Sequence, residues 1–222
     1  MAERKALVLN SGIIEQLQSG DTLSGVSSER WTAVSFTRAS DSTFTVTDNA
    51  ANQAIFMAGR PIRYRATSGT WYYGIVVSYS SGTVTLDGVA LTTSVDDEMQ
   101  YGSPEMVRVL NFVLPGNCIV ADPYSEVLYW SLPAAYCVRS VWKAGTAPSG
   151  ANITGNIEIN GSDLHASEIS LSGTSEVDSG TDIQTSYYDI QFSESVCVTI
   201  SQVGSSTPGG NPLYVALTFI IP

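Results

Sequence analysis

Charge is what this sequence has least of. Asp, Glu, Lys and Arg make up 14% of 222 residues, against about 25% in ordinary soluble domains. Ten Lys and Arg face 21 Asp and Glu, for a net charge of −11. That balance excludes a nucleic-acid partner, which needs a clustered basic surface to displace counterions from phosphates. Histidine occurs once and cysteine three times, too few for a zinc site. The odd, widely spaced Cys118, Cys137 and Cys197 read as reduced thiols, with Cys137 and Cys197 acting as small hydrophobes within strands. No apolar run reaches the 18 residues of a membrane span. The first apolar stretch, residues 6–9, is too short for the core of a signal peptide. The expectation is a protein made in the cytoplasm, with no membrane insertion.

Ser, Thr, Gly and Asn take the place of the missing charge, and they favour strands and tight turns over long helices. Period-two alternation recurs along nearly the whole chain. Phe44 and Val46 alternate with threonines. Ile62 and Tyr64 oppose Arg63 and Arg65, a pair that reads as a solvated or interface face. Trp71, Tyr73, Ile75, Val77 and Tyr79 fall on one face of a strand ending at Ser80-Ser-Gly82. A break with charge and turn formers follows, from Val95-Asp-Asp-Glu98 to Tyr101-Gly-Ser-Pro104.

Strands resume at residues 106–113, 127–132, 136–142, 153–160, 164–171, 187–192, 196–202 and 213–221. About eight strands with short turns, such as Asn160-Gly161, suffice for a two-sheet sandwich. The last strand is apolar on both faces, which implies a covered outer face: a further subunit, or a loop over mid-core. No helix is expected. Residues 13–17 permit a single turn, and Asn10-Ser-Gly12 ahead of them suits a hairpin equally well. The predicted organisation is all-β: an N-terminal segment (1–25), a small antiparallel β-domain (26–104) and a β-sandwich (105–222).

Catalysis finds few materials. His165 is the sole imidazole and reads as a polar-face strand residue, and no Gly-x-Ser-x-Gly elbow exposes a serine. Asp96, Asp97 and Glu98 read as a solvated turn rather than a Ca²⁺ loop. Thr207-Pro-Gly-Gly210 precedes a strand, not the helix that a phosphate-binding loop requires. No catalytic residue, cofactor or metal site is expected, and the protein is read as a non-enzyme. Alternation buries Trp71, Tyr73 and Tyr79, which leaves Tyr72 and Tyr187 facing outward as candidate contacts for a sugar or receptor.

Two stretches carry a resemblance. Ala6-Leu-Val-Leu-Asn-Ser-Gly12 with Glu15-Gln-Leu-Gln-Ser-Gly-Asp-Thr-Leu23 resembles the opening segment of bacteriophage fibre and other virion proteins. Val141-Trp-Lys-Ala-Gly-Thr-Ala-Pro-Ser-Gly150, Ile157-Glu-Ile-Asn-Gly161 and the stretch from Ile200 to Gly210 are similar to the jelly-roll-like sandwich of phage virion and receptor-binding proteins. The resemblance implies a structural or adhesive subunit of the virion: a head fibre, decoration protein, tail fibre or baseplate-associated knob. It implies attachment to other virion proteins through Leu7, Leu9, Ile13, Ile14 and Leu17. It also implies a homotrimer, with a host-surface glycan or receptor as the alternative partner.

Overall fold

The computed structural model describes residues 7–10, 13–16, 30–65, 69–92, 98–121, 123–125, 127–178, 182–186 and 188–222. Leu17 and Tyr187 lie outside them. In the first unit, β1 (Leu7–Asn10) and β2 (Ile13–Gln16) pair antiparallel, with Leu9 opposite Ile14. Of the two shapes open to this segment, the hairpin forms. It places Leu7, Leu9, Ile13 and Ile14 on the paired strands.

Residues 31–102 build a seven-stranded antiparallel sheet curled into half a barrel. Its strands are β3 (Trp31–Val34), β4 (Thr37–Arg38), β5 (Thr43–Thr45), β6 (Pro61–Arg65), β7 (Tyr72–Ser80), β8 (Thr83–Gly88) and β9 (Glu98–Gly102), in spatial order β3-β9-β6-β7-β8-β5-β4. The alternation that predicts these strands also fills the core, where Phe44, Ile62, Tyr64, Val84 and Met99 are buried. Ser81 and Gly82 take positive φ and close the β7–β8 hairpin as a two-residue turn, the conformation that matches strand twist.

Three expectations change in this sheet. A short helix, α1 (Ala50–Ile55), sits between β5 and β6, capped by the Asn49 side chain accepting from Asn52 N. Six residues are too few to show a 3.6 period, so only the Asn cap marks it in sequence. A register shift between Val76 and Ser78 interrupts the strict alternation of β7, so Val76 is buried alongside Tyr73 and Ile75. The charged break also gives way, because Glu98–Gly102 is not a connector but β9, held between β3 and β6. Arg65 pairs with Glu98 across β6 and β9.

The sandwich follows a 3-10 turn at Pro104–Met106. Its main strands are β10 (Val107–Leu114), β11 (Leu128–Tyr129), β12 (Ala135–Thr146) and β13 (Ile153–Ile159). Short strands β14 (Ser162–Asp163), β15 (Ile169–Leu171), β16 (Val177–Asp178) and β17 (Asp189–Ile190) lead to β18 (Ser195–Gln202) and β19 (Gly210–Ile220). One sheet runs β10-β19-β12-β16, with β17 also on β12; the other runs β11-β18-β13-β14, with β15 also on β13.

The pairings nest. The first strand pairs with the last (β10 with β19), the second with the next to last (β11 with β18), β12 with β16 and β17, and β13 with β15. Folding one long antiparallel ribbon over on itself produces that nesting, which is the jelly roll. Asn160 and Gly161, both at positive φ, close the β13–β14 hairpin. The expected strand at 164–171 is instead split around a buried histidine, with only Ile169–Leu171 pairing to β13.

Between the sheets, Trp142, Leu213, Leu217 and Phe219 are buried in one cluster with Ile153, Ile157, Val198 and Ile200. Strand β19 lies mid-sheet between β10 and β12. Residues 31–222 form one compact unit. Within it, Tyr73 of β7 stacks on Tyr136 of β12, and Val89 bridges to Asp182.

Candidate functional site

His165 is the residue most often recruited for catalysis, and the structure puts it inside the sandwich rather than on a polar face. It is 1% exposed, with Nε2 2.9 Å from Ser140 Oγ, which also accepts from Trp142 Nε1. Its backbone N–H donates to the Asn156 side chain, whose amide returns a bond to the His165 carbonyl. Burial pushes the imidazole down to about 4, only partly offset by the Asp182 charge. A neutral ring sealed between packed sheets cannot meet a substrate. It serves instead as a polar tie in the core, bonded through Nε2 to Ser140, while Nδ1 is buried with no hydrogen-bond partner among the described residues.

A second cluster lies where the curled sheet meets the sandwich. Arg139 of β12 donates through Nε to Asp178 of β16, while Asp87 Oδ2 stands 2.9 Å from the same Nε. Burial and the adjoining Asp178 carboxylate hold Asp87 up to about 7, against the pull of Arg139. One guanidinium thus serves two carboxylates. The pair resembles the shared-proton arrangement of acid dyads, but buried Asp87 faces the joint between the two modules rather than a cleft. Among the described residues no group of three or more His, Cys, Asp or Glu is placed to hold a metal ion.

The surface is more telling. Val109 and Val113 of β10 are 57% and 59% exposed, and Ile119, Val120, Val127 and Leu132 are exposed as well. Tyr129 of β11 and Phe192 reach 72% and 69%. Strands β10 and β11 are the edges of their sheets on the same flank. Between them opens a slot of about 270 Å³ lined by Leu110, Leu128, Tyr129, Trp130 and Leu132. A larger depression lies on the outer face beside Asn111, Val113, Val141, Tyr214 and Ala216, apolar apart from the Lys143–Glu176 ion pair that also lines it. Isolated exposed hydrophobes are ordinary, whereas a contiguous patch marks a contact surface. The strand expected at 106–113 is β10, but its exposed apolar face was not anticipated, although Val107, Val109 and Val113 lie on one side and Leu110, Phe112 and Leu114 on the other.

The aromatic candidates separate. Tyr72 is half-buried and stacks on Tyr64 with ring centroids 6.5 Å apart, so its ring is engaged within the sheet. Trp71 lies just ahead of β7 and packs under Arg63 and Arg65, at 4.2 and 4.3 Å from its ring. Arg63 also covers Trp31 and donates to Gln100 Oε1. The arginine face is therefore a cation–π ladder. Cys118, Cys137 and Cys197 are all buried.

No family model matches the chain, and no curated protein and no solved structure matches it either.

Proposed function

We propose that the chain is a structural or adhesive subunit of a bacteriophage particle, working through protein–protein contacts rather than turnover. The observation that carries this reading is the apolar flank of the sandwich around β10 and β11, where large side chains stand in water on an otherwise well-packed module. Jelly rolls recur in viral capsid and lectin domains, a fold-level analogy that agrees with the virion-like N-terminal segment. On this reading, Leu7, Leu9, Ile13, Ile14 and Leu17 attach the chain to other virion proteins. The test is a chain lacking residues 1–25, supplied to host cells that assemble the particle. It should fold with a β-type circular dichroism spectrum yet be absent from gradient-purified particles by mass spectrometry. Its presence at full occupancy would remove the attachment role.

A second reading, binding of a host-surface glycan, is favoured by Tyr129 and Phe192. Both rings are exposed, and their neighbours join them: Trp130 N donates to Glu194 O and Ser193 N to Trp130 O. Aromatic rings in water are platforms for sugar stacking. Changing both to Ala should abolish retention on immobilised host polysaccharide if this reading holds, and leave particle incorporation intact.

A further inference from the structure

Among the described residues, the outer edge of β10 pairs with no strand. Its register with β19 runs without a bulge from Val107 to Leu114. Ile221 N donates to Met106 O, so the even-numbered residues of β10 point their backbone groups at β19. By the alternation of an antiparallel ladder, Val107, Val109, Asn111 and Val113 point theirs away from it. Natural edges are blunted by charge, proline or a bulge. Here Arg108 guards one end, donating through Nη1 to Glu105 O and Val107 O, and Pro115 stands at the other. Nothing of the kind lies between them.

We infer that this edge pairs antiparallel with the β10 edge of a second copy, across a two-fold axis through Asn111. The backbone chemistry selects that register. Centring on Asn111 sets Val109 opposite Val113 of the second copy, and Val107 opposite its Pro115. Pro115 has no N–H to offer, and the carbonyl that such an N–H would serve is Val107 O, already satisfied by Arg108. The missing donor and the occupied acceptor coincide, which is what self-complementarity requires of an isologous contact. Residues 109, 111 and 113 are left to exchange both backbone bonds. Val109 and Val113 then meet as β-branched pairs on the outer face, and the two Asn111 amides meet at the axis.

Charge agrees with this occupant. A chain of net charge −11 can approach its own copy only over a neutral surface, and residues 109–115 carry no charge. The depressions on either side of β10 would be covered from the same direction. This arrangement is dimeric, where the resemblance to fibre proteins implies a trimer. It does not depend on the virion reading.

Sedimentation velocity and disulfide trapping test it on the full chain. The native protein should sediment at twice 23.6 kDa. Val109→Lys with Val113→Lys sets like charges opposite one another and should halve that mass, with the circular dichroism spectrum unchanged. Asn111→Cys should form an intermolecular disulfide with itself under mild oxidation, because directly bonded antiparallel residues lie about 5.5 Å apart between Cα atoms, within the roughly 4.4–6.8 Å a disulfide spans. Asn160→Cys, at an exposed hairpin turn, should not. A native monomer, a trimer, or a dimer unaffected by the double lysine and untrapped at Asn111→Cys each overturns the inference.

Discussion

Tyr73 and Tyr136 stack with ring centroids 4.1 Å apart and planes 15° from parallel, one ring from the curled sheet and one from the sandwich. Tyr188 continues the contact at 5.0 Å from Tyr136, and the Arg139 bridge to Asp87 ties the same two modules. They share one hydrophobic cluster, so they are expected to unfold together.

The four tryptophans make that measurable. Trp31 and Trp71 report on the curled sheet, and Trp130 and Trp142 on the sandwich. In urea, variants keeping either pair should show coincident midpoints. Tyr136→Ala removes the stack and its packing at a cost of about 3 kcal/mol, and should draw the two midpoints apart. Coincident midpoints in Tyr136→Ala would mean that the joint is held elsewhere.

Stability should respond to pH through two groups with opposed signs. Asp87 is held up to about 7, against an ordinary value of 3.8. The folded state therefore keeps this proton longer, and the stability it confers is complete below 3.8 and lost as pH rises through 7. His165 is pushed down from 6.5 to about 4, so its contribution is complete above 6.5 and lost as pH falls through 4. The two slopes oppose each other between about pH 4 and 6.5. Asp87→Asn should leave a melting temperature that climbs across that window, and His165→Gln one that falls. Thermal melts across the window decide it; the same slope in both variants would contradict the assignment.

Alternation made the sheets legible, and it worked where one face meets the core and the other meets water, as at Ile62 and Tyr64 against Arg63 and Arg65. The long sandwich strands were readable on the same ground, whereas the two-residue strands β14 and β16 were not, and the jelly-roll-like order rested on a resemblance whose nesting the pairings now supply. Alternation failed where a partner from a distant strand changes a residue's surroundings. His165 looked like a surface residue because Ser140, which bonds its ring, and Asn156, which bonds its backbone, come from other strands. Trp71 looked like core because nothing local shows two arginines folding over its ring. Glu98 looked like linker because its partner, Arg65, comes from another strand. The exposed flank at Val109 and Val113 was hidden for a different reason: the strand expected at 106–113 is apolar on both faces, and nothing in its own residues tells which face water covers.

Gly155 of β13 leaves no room for a side chain. A Cβ there would stand 2.2 Å from the Thr199 carbonyl oxygen of β18, and backbone in a paired strand cannot swing aside. Gly155→Ala should cost about 2–3 kcal/mol, lowering the melting temperature by roughly 4–12 °C at this chain length. Gly161→Ala, with open space around its Cβ but a positive φ, should cost only about 1 kcal/mol. Differential scanning calorimetry of the two variants checks the ranking.

The thiols should be silent in the native state. Burial pushes Cys137 up to about 12, only slightly eased by a contact with the Arg139 carbonyl, and burial raises Cys118 as well. A thiol reagent at mildly alkaline pH should label neither residue until denaturant is added. Rapid labelling of Cys137 without denaturant would reveal opening between the sheets.

The nesting of the jelly roll sets a schedule for its own assembly. Because β10 leans on β19, the opening strand of the sandwich must wait for almost the whole module to leave the ribosome before its inner edge is covered. Meanwhile its other edge is bare as well, so a nascent chain presents two sticky margins to its neighbours on the same message. A C-terminal truncation therefore does more than shorten the product: it strands β10 with both sides unpaired.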